Sequence, residues 1–193
     1  MNLKKFSFMV VTTVLVGILT GMLNAVTGLF ANLELFFGFQ AGGFVSATAL
    51  MGFWAYLTLN FIVRGFLPVR FWRWLQVLVI VVVYIDFVYI RYITEGQNTG
   101  SIWPYVWFAT WPLLVSIIAA YFKVKQSGKD SFVPALFFMY VFTIVEWFVA
   151  LKSGLTGLTI MIGTILLACN TYLLLILGPL LRRSPQSSPL AEN

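Results

Sequence analysis

An all-α fold of six membrane-spanning helices is predicted by three features of this 193-residue sequence. Apolar residues make up 61% of it and charged residues 9%, too few to give a soluble domain a polar surface. The apolar residues fall into six long runs, each near the roughly 20 residues that a helix needs to cross a bilayer. The lysines and arginines cluster between alternate runs rather than along them. Spans are predicted at residues 6–30, 42–63, 75–92, 103–122, 131–151 and 158–181, forming one transmembrane domain over 1–181. The tail, 182–193, is rich in Ser and Pro, a composition that predicts disorder.

The first run follows Lys4 and Lys5. A basic head before an apolar stretch also marks secretory signals, but this stretch exceeds a signal core and is read as a first span. Gly17 and Gly21 form a small-xxx-small pair that lets another helix approach closely. Residues 31–40, with Glu34, read as a short loop. The second span opens on small residues, Gly42, Gly43, Ser46 and Ala47, predicted as a packing surface for a neighbouring or partner helix. It ends in bulkier residues around Asn60.

Residues 64–74, RGFLPVRFWRW, alternate cations with aromatic rings. Arg64, Arg70, Trp72, Arg73 and Trp74 are predicted to sit at headgroup level as lipid contacts. The third span, LQVLVIVVVYIDFVYIRY (75–92), would read as a buried strand in water because Val and Ile dominate it. In lipid an open strand leaves its backbone unpaired, so a helix is predicted. Its one acid, Asp86, costs roughly 2.5–3.5 kcal/mol at a bilayer centre, and something must offset that.

Beyond Arg91 the residues up to Ile102 include Glu95, Gly96, Gln97, Asn98 and Gly100, a polar loop. Ser101 is positioned to cap the fourth span and Pro104 suits its first turn. Trp103, Trp107 and Trp111 share one face; the first two suit the interfacial belt and Trp111 lies deeper. Pro112 removes a backbone donor in mid-span and predicts a kink. KVKQSGKD (123–130) reads as a basic loop, after which Asp130 or Ser131 caps the fifth span. That span carries Glu146 beside Trp147. A tight turn at 152–157 leads to the sixth, which holds Cys169, Asn170, Thr171 and Tyr172 near its middle.

Orientation follows from the cations. Lys4, Lys5, Arg64, Arg70, Arg73, Lys123, Lys125, Lys129, Arg182 and Arg183 fall on one side of a six-span chain, and only Arg91 and Lys152 on the other. By the positive-inside rule both termini are cytoplasmic and the cell membrane is the location. The net charge of +6 therefore meets membrane lipids rather than nucleic acid. The absence of histidine removes histidine-based catalysis and metal ligation, and the single cysteine forms no intrachain disulfide. No nucleophile–base set, metal-ligand cluster or Gly-rich phosphate loop is present, so neither an enzyme, a metal nor a cofactor is predicted.

What remains is an intramembrane polar constellation. Asp86 lies about 7.5 Å before Arg91 along the helix axis, and Glu146 about 9 Å before Lys152. Both acids are thus expected at similar depth near the outer side. Neither acid shares a helix face with its own cation, so crossed pairs Asp86–Lys152 and Glu146–Arg91 are predicted if the third and fifth spans touch. Asn24, near the outer end of the first span, could add a hydrogen bond. A protonated acid is the alternative, because burial penalises the charge. The cluster could fix helix register, sense a ligand or partner, or relay protons or substrate. A small-molecule or ion permease using Asp86 and Glu146 is the competing function, although the two halves of the chain show no matching repeat.

Five segments carry a family resemblance: MGFWAYLTLNF (51–61), DFVYIRY (86–92), FKVKQSGKDSFVPALFF (122–138), IVEW (144–147) and LACNTYLLL (167–175). Together and in order they resemble the KinB-signalling pathway activation family (KbaA-type) of spore-forming Gram-positive bacteria. The resemblance covers the second to sixth spans; the first third is similar mainly in character. It implies an integral membrane accessory that promotes signalling by a sporulation sensor kinase feeding a phosphorelay. On that basis Asp86, Glu146 and Arg91 are the expected sensing or register cluster, with the small face of the second span as a packing surface.

Overall fold

The computed structural model describes residues 3–28, 34–93, 101–152, 154 and 156–182. It is all-helical, with six helical rods long and apolar enough to cross a membrane. Four of them are α1 (Leu3–Thr27), α2 (Leu35–Phe66), α3 (Val69–Arg91) and α4 (Trp103–Ser127). The fifth rod, Lys129–Leu151, is compound: a 3₁₀ turn, α5 (Phe132–Phe137), a π-helical segment (Phe138–Phe142) and α6 (Thr143–Leu151). The last is α7 (Gly157–Arg182). The polar residues 94–100 and the tail from 183 lie outside the described residues.

Helix ends differ from expectation where polar residues suggested loops. α2 begins at Leu35, not near 42, and the basic-aromatic stretch 64–74 is mostly helix. Its break is confined to Leu67 and Pro68: Pro68 has no N–H to continue α2, and Leu67 before it is extended (φ −116°, ψ 143°). α4 likewise continues through Lys123 and Lys125 to Ser127, stopping at Gly128, whose φ of 90° suits glycine. Neither Ser101 nor Asp130 caps a helix. Asp130 is instead ion-paired with Arg73 at 3.0 Å, and Ser131 donates to the Gly128 carbonyl at 2.6 Å. Pro104 does sit in the first turn of α4.

α7 is the hub, touching α1, α2, α4 and α6, while α3 packs on α4 and α5. The buried face of α1 is Met9, Thr13, Gly17, Gly21 and Asn24; its outward face is Val11, Leu15, Leu19, Leu23 and Val26. The inner face is thus the smaller and more polar one, the reverse of a soluble amphipathic helix and the arrangement expected where packing, not burial from water, joins helices. Gly17 and Gly21 meet Gly42 and Gly38 of α2 backbone to backbone. A Cβ added at Gly17 would lie 2.7 Å from the Gly42 carbonyl oxygen, and one at Gly38 2.6 Å from that of Gly21.

The core between the fifth rod, α2, α4 and α7 is aromatic. Phe53 meets Phe138 edge-on at 5.4 Å, Trp111 meets Trp147 at 6.1 Å and Phe108 meets Trp147 at 5.2 Å. Trp147 is fully buried, donates from Nε1 to the Thr159 carbonyl at 2.6 Å and lies over Gly163. Trp103 and Trp107 face outward and Trp111 is half-buried, in the expected order. Lys5 donates to the Leu180 carbonyl at 2.8 Å, which brings the start of α1 and the end of α7 together at one end of the bundle.

Candidate functional site

The two acids part company. Glu146, in the first turn of α6, turns inward, where Asn170 of α7 donates from Nδ2 to its Oε2 at 3.0 Å. The same Nδ2 lies 2.9 Å from the Thr143 hydroxyl one turn back on α6. On the opposite side the carboxylate rests against Gly52 of α2, where a Cβ would collide with Oε1. Three helices thus meet at one carboxylate. Oε1 of Glu146 and Oδ1 of Asn170 are buried without a hydrogen-bond partner among the described residues. The contact falls near the midpoints of α2 and α7, so the carboxylate is deeper than its offset from Lys152 suggested.

Asp86 faces out. It lies on the exposed side of α3, in a groove bounded by Val83, Ile90, Val145 and Phe148. Among the described residues no ion pair joins either acid to Arg91 or Lys152, so the crossed pairs are corrected. Arg91 is buried and donates from Nη2 to the Leu151 carbonyl at 2.6 Å, closing the end of α6. Lys152 sits over the Phe148 ring at 5.8 Å. The reason is helical phase. Five residues turn a helix through about 140° beyond a full turn, so with Arg91 buried Asp86 points away from the core. Arg91→Leu is expected to lower stability by about 1.5–3 kcal/mol through loss of a charge-assisted bond to a buried carbonyl, read as a lower melting temperature in detergent.

Asn24 is buried but belongs elsewhere: it donates to the Thr20 carbonyl at 2.8 Å and to the Thr164 hydroxyl at 3.3 Å, tying α1 to α7. Of the small residues on α2, Gly42 and Ser46 are already covered, since a Cβ on Gly17 would meet both. Gly43 is half-buried and Ala47 exposed. The α2 small face is therefore an internal packing surface in its buried half. Trp72 is also corrected: it is buried, donates to Asn60 Oδ1 at 2.9 Å and meets Phe137 at 5.8 Å, so it does not face lipid. Arg64, Arg70 and Trp74 are exposed, and Arg73 is held by Asp130.

Two members of the inner site escaped the sequence reading. Asn170 carried the same signal as the acids, a lone amide in an apolar run, yet was not paired with them. Gly52 had no such signal, because only the arrival of a carboxylate distinguishes it from any other helical glycine. Gln76 of α3 was missed too: it is fully buried, with neither amide atom bonded among the described residues.

Comparison with known proteins adds what this geometry does not contain. The model of the family described as KinB-signalling pathway activation in sporulation matches residues 7–180. A KinB-signaling pathway activation protein of Bacillus subtilis (strain 168) is 34% identical over 158 residues, covering 78% of this chain and 80% of that protein. No solved structure matches. A family match across nearly the whole helical region, together with a relative this similar over four-fifths of its own length, shows that the chain belongs to the KinB-signalling pathway activation family.

Proposed function

We propose that this chain is a multi-pass protein of the bacterial cell membrane, with cytoplasmic termini, that promotes signalling by a KinB-type sporulation sensor kinase without catalysing a reaction itself. The observation that carries this reading is the family match over residues 7–180. Six rods long and apolar enough to span, with ten of twelve cations on the side that holds the termini, support the placement. The mode of action is contact: outward helix faces pack against membrane helices of the kinase and bind its active arrangement more tightly. A tenfold shift in the active-to-inactive ratio needs only about 1.4 kcal/mol of such difference. The Glu146–Asn170–Gly52 junction serves this by fixing the register of α2, α6 and α7, so that the outward faces are presented in one arrangement. A permease built on Asp86 and Glu146 is not favoured, because the two acids lie on opposite sides of the fifth rod's packing.

The test is deletion of the gene in its own host, with a reporter of the sporulation phosphorelay and spore counts as readouts. Output is expected to fall severalfold and to return with the intact gene. Unchanged output after deletion would overturn the reading.

A further inference from the structure

The groove holding Asp86 runs between α3 and α6 and opens to the outside of the bundle. Its walls, Val83 and Ile90 of α3 with Val145 and Phe148 of α6, are apolar, Arg91 also borders it, and its volume is about 140 Å³. That is well below the roughly 300–1,000 Å³ of small-molecule sites and suits a single side chain. Within it Asp86 is exposed, and among the described residues no donor reaches its carboxylate. Side chains on a helix tilt toward its N-terminus. On α3 that direction leads away from the end marked by Arg91 and into the span, so the short aspartate cannot reach back to the interface. Arg91 does not serve it, being turned toward the Leu151 carbonyl.

An acid held ionised within a span, facing outward between apolar walls, calls for a donor from another molecule. Acyl chains offer none, a phosphate headgroup would be repelled, and the ammonium of an aminolipid headgroup stays at the interface that this short side chain does not reach. A second copy seated through the same groove by two-fold symmetry would set Asp86 against Asp86. We infer that the α3–α6 groove receives one transmembrane helix of a partner protein and that a lysine or arginine of that helix enters beside Asp86. The inference rests on the proposed membrane-spanning, helix-contacting role and deepens it by locating the contact and the chemistry of its occupant. Charge pairing supplies selectivity among apolar helices that shape alone would not distinguish.

The test uses the full chain in membranes of its own host, with a photo-crosslinking phenylalanine derivative at Val145 and, as control, at Val11 on the outward face of α1. A protein adduct is expected at Val145 and not at Val11, its crosslinked peptide an apolar span containing lysine or arginine. Asp86→Lys should reduce the adduct by about tenfold and Asp86→Asn by less, with changing the partner's cation to Glu restoring it to Asp86→Lys. Melting of both variants should match the parent, since Asp86 is exposed. The inference is overturned by no protein adduct above the control, by adducts with copies of this chain alone, by a partner span lacking lysine and arginine, or by an adduct that neither variant weakens. Pathway output is scored separately on deletion. Lost output with no adduct overturns the groove alone, whereas a charge-dependent adduct with unchanged output overturns the functional reading alone.

Discussion

Replacing Gly42 by leucine is expected to lower the melting temperature of the detergent-purified protein by about 10 °C or more, beyond the roughly 1–3 kcal/mol of ordinary overpacking. The first atom of any side chain there would meet the Gly17 carbonyl and the Cα of Ile18, both backbone, which no rotamer change can move aside. α1 and α2 must then separate, and α7 loses the surface they form together, since it touches both. Gly43→Ala is the control: its Cβ would meet only Ile18 Cγ1, at 3.9 Å, and melting should be unchanged. Equal melting of Gly42→Leu and the parent would show that the close crossing does not hold the bundle together.

Asn170→Leu should destabilise nearly as strongly, by about 3 kcal/mol, because it strips the hydrogen-bond partner from a buried carboxyl group while leaving the acid in place. The informative comparison is with the double variant. Glu146→Leu alone leaves the Asn170 amide with only the Thr143 hydroxyl, whereas Asn170→Leu with Glu146→Leu removes both polar partners at once. The double variant is expected to melt above Asn170→Leu alone, a coupling of the size seen for residues in direct contact. Additive losses would mean that the two side chains act independently and that the junction of three helices is not a unit. Pathway output measured on the same variants then tests whether that junction matters beyond stability.

The six rods were legible because a long apolar run able to cross a membrane must be helical to pair its own backbone. The ends were not, since cations and aromatic rings near an interface mark depth rather than the end of a helix. Hence 64–74 read as a connector although only Leu67 and Pro68 interrupt it, and there the signal was local, a proline that cannot donate. The site was half legible. Lone polar residues in apolar runs drew attention to Glu146, Asp86 and Arg91, but axial offset placed Glu146 too near a helix end and gave no direction, which depends on phase. The π-helical segment Phe138–Phe142 left no trace in sequence, its residues being as apolar as their neighbours. Yet it sits immediately before α6, one turn ahead of Glu146, and sets the phase at which α6 presents it.

The backbone contact between α1 and α2 also bears on how the chain is built. These two helices are neighbours in sequence and can pair as soon as both have left the ribosome. The partners of α1 on the other side, Thr164, Cys169 and Leu180, all lie on α7, the last of the described helices to be made. The first hairpin must therefore wait, small-faced and half-finished, through the synthesis of three more rods before the helix that seals it arrives.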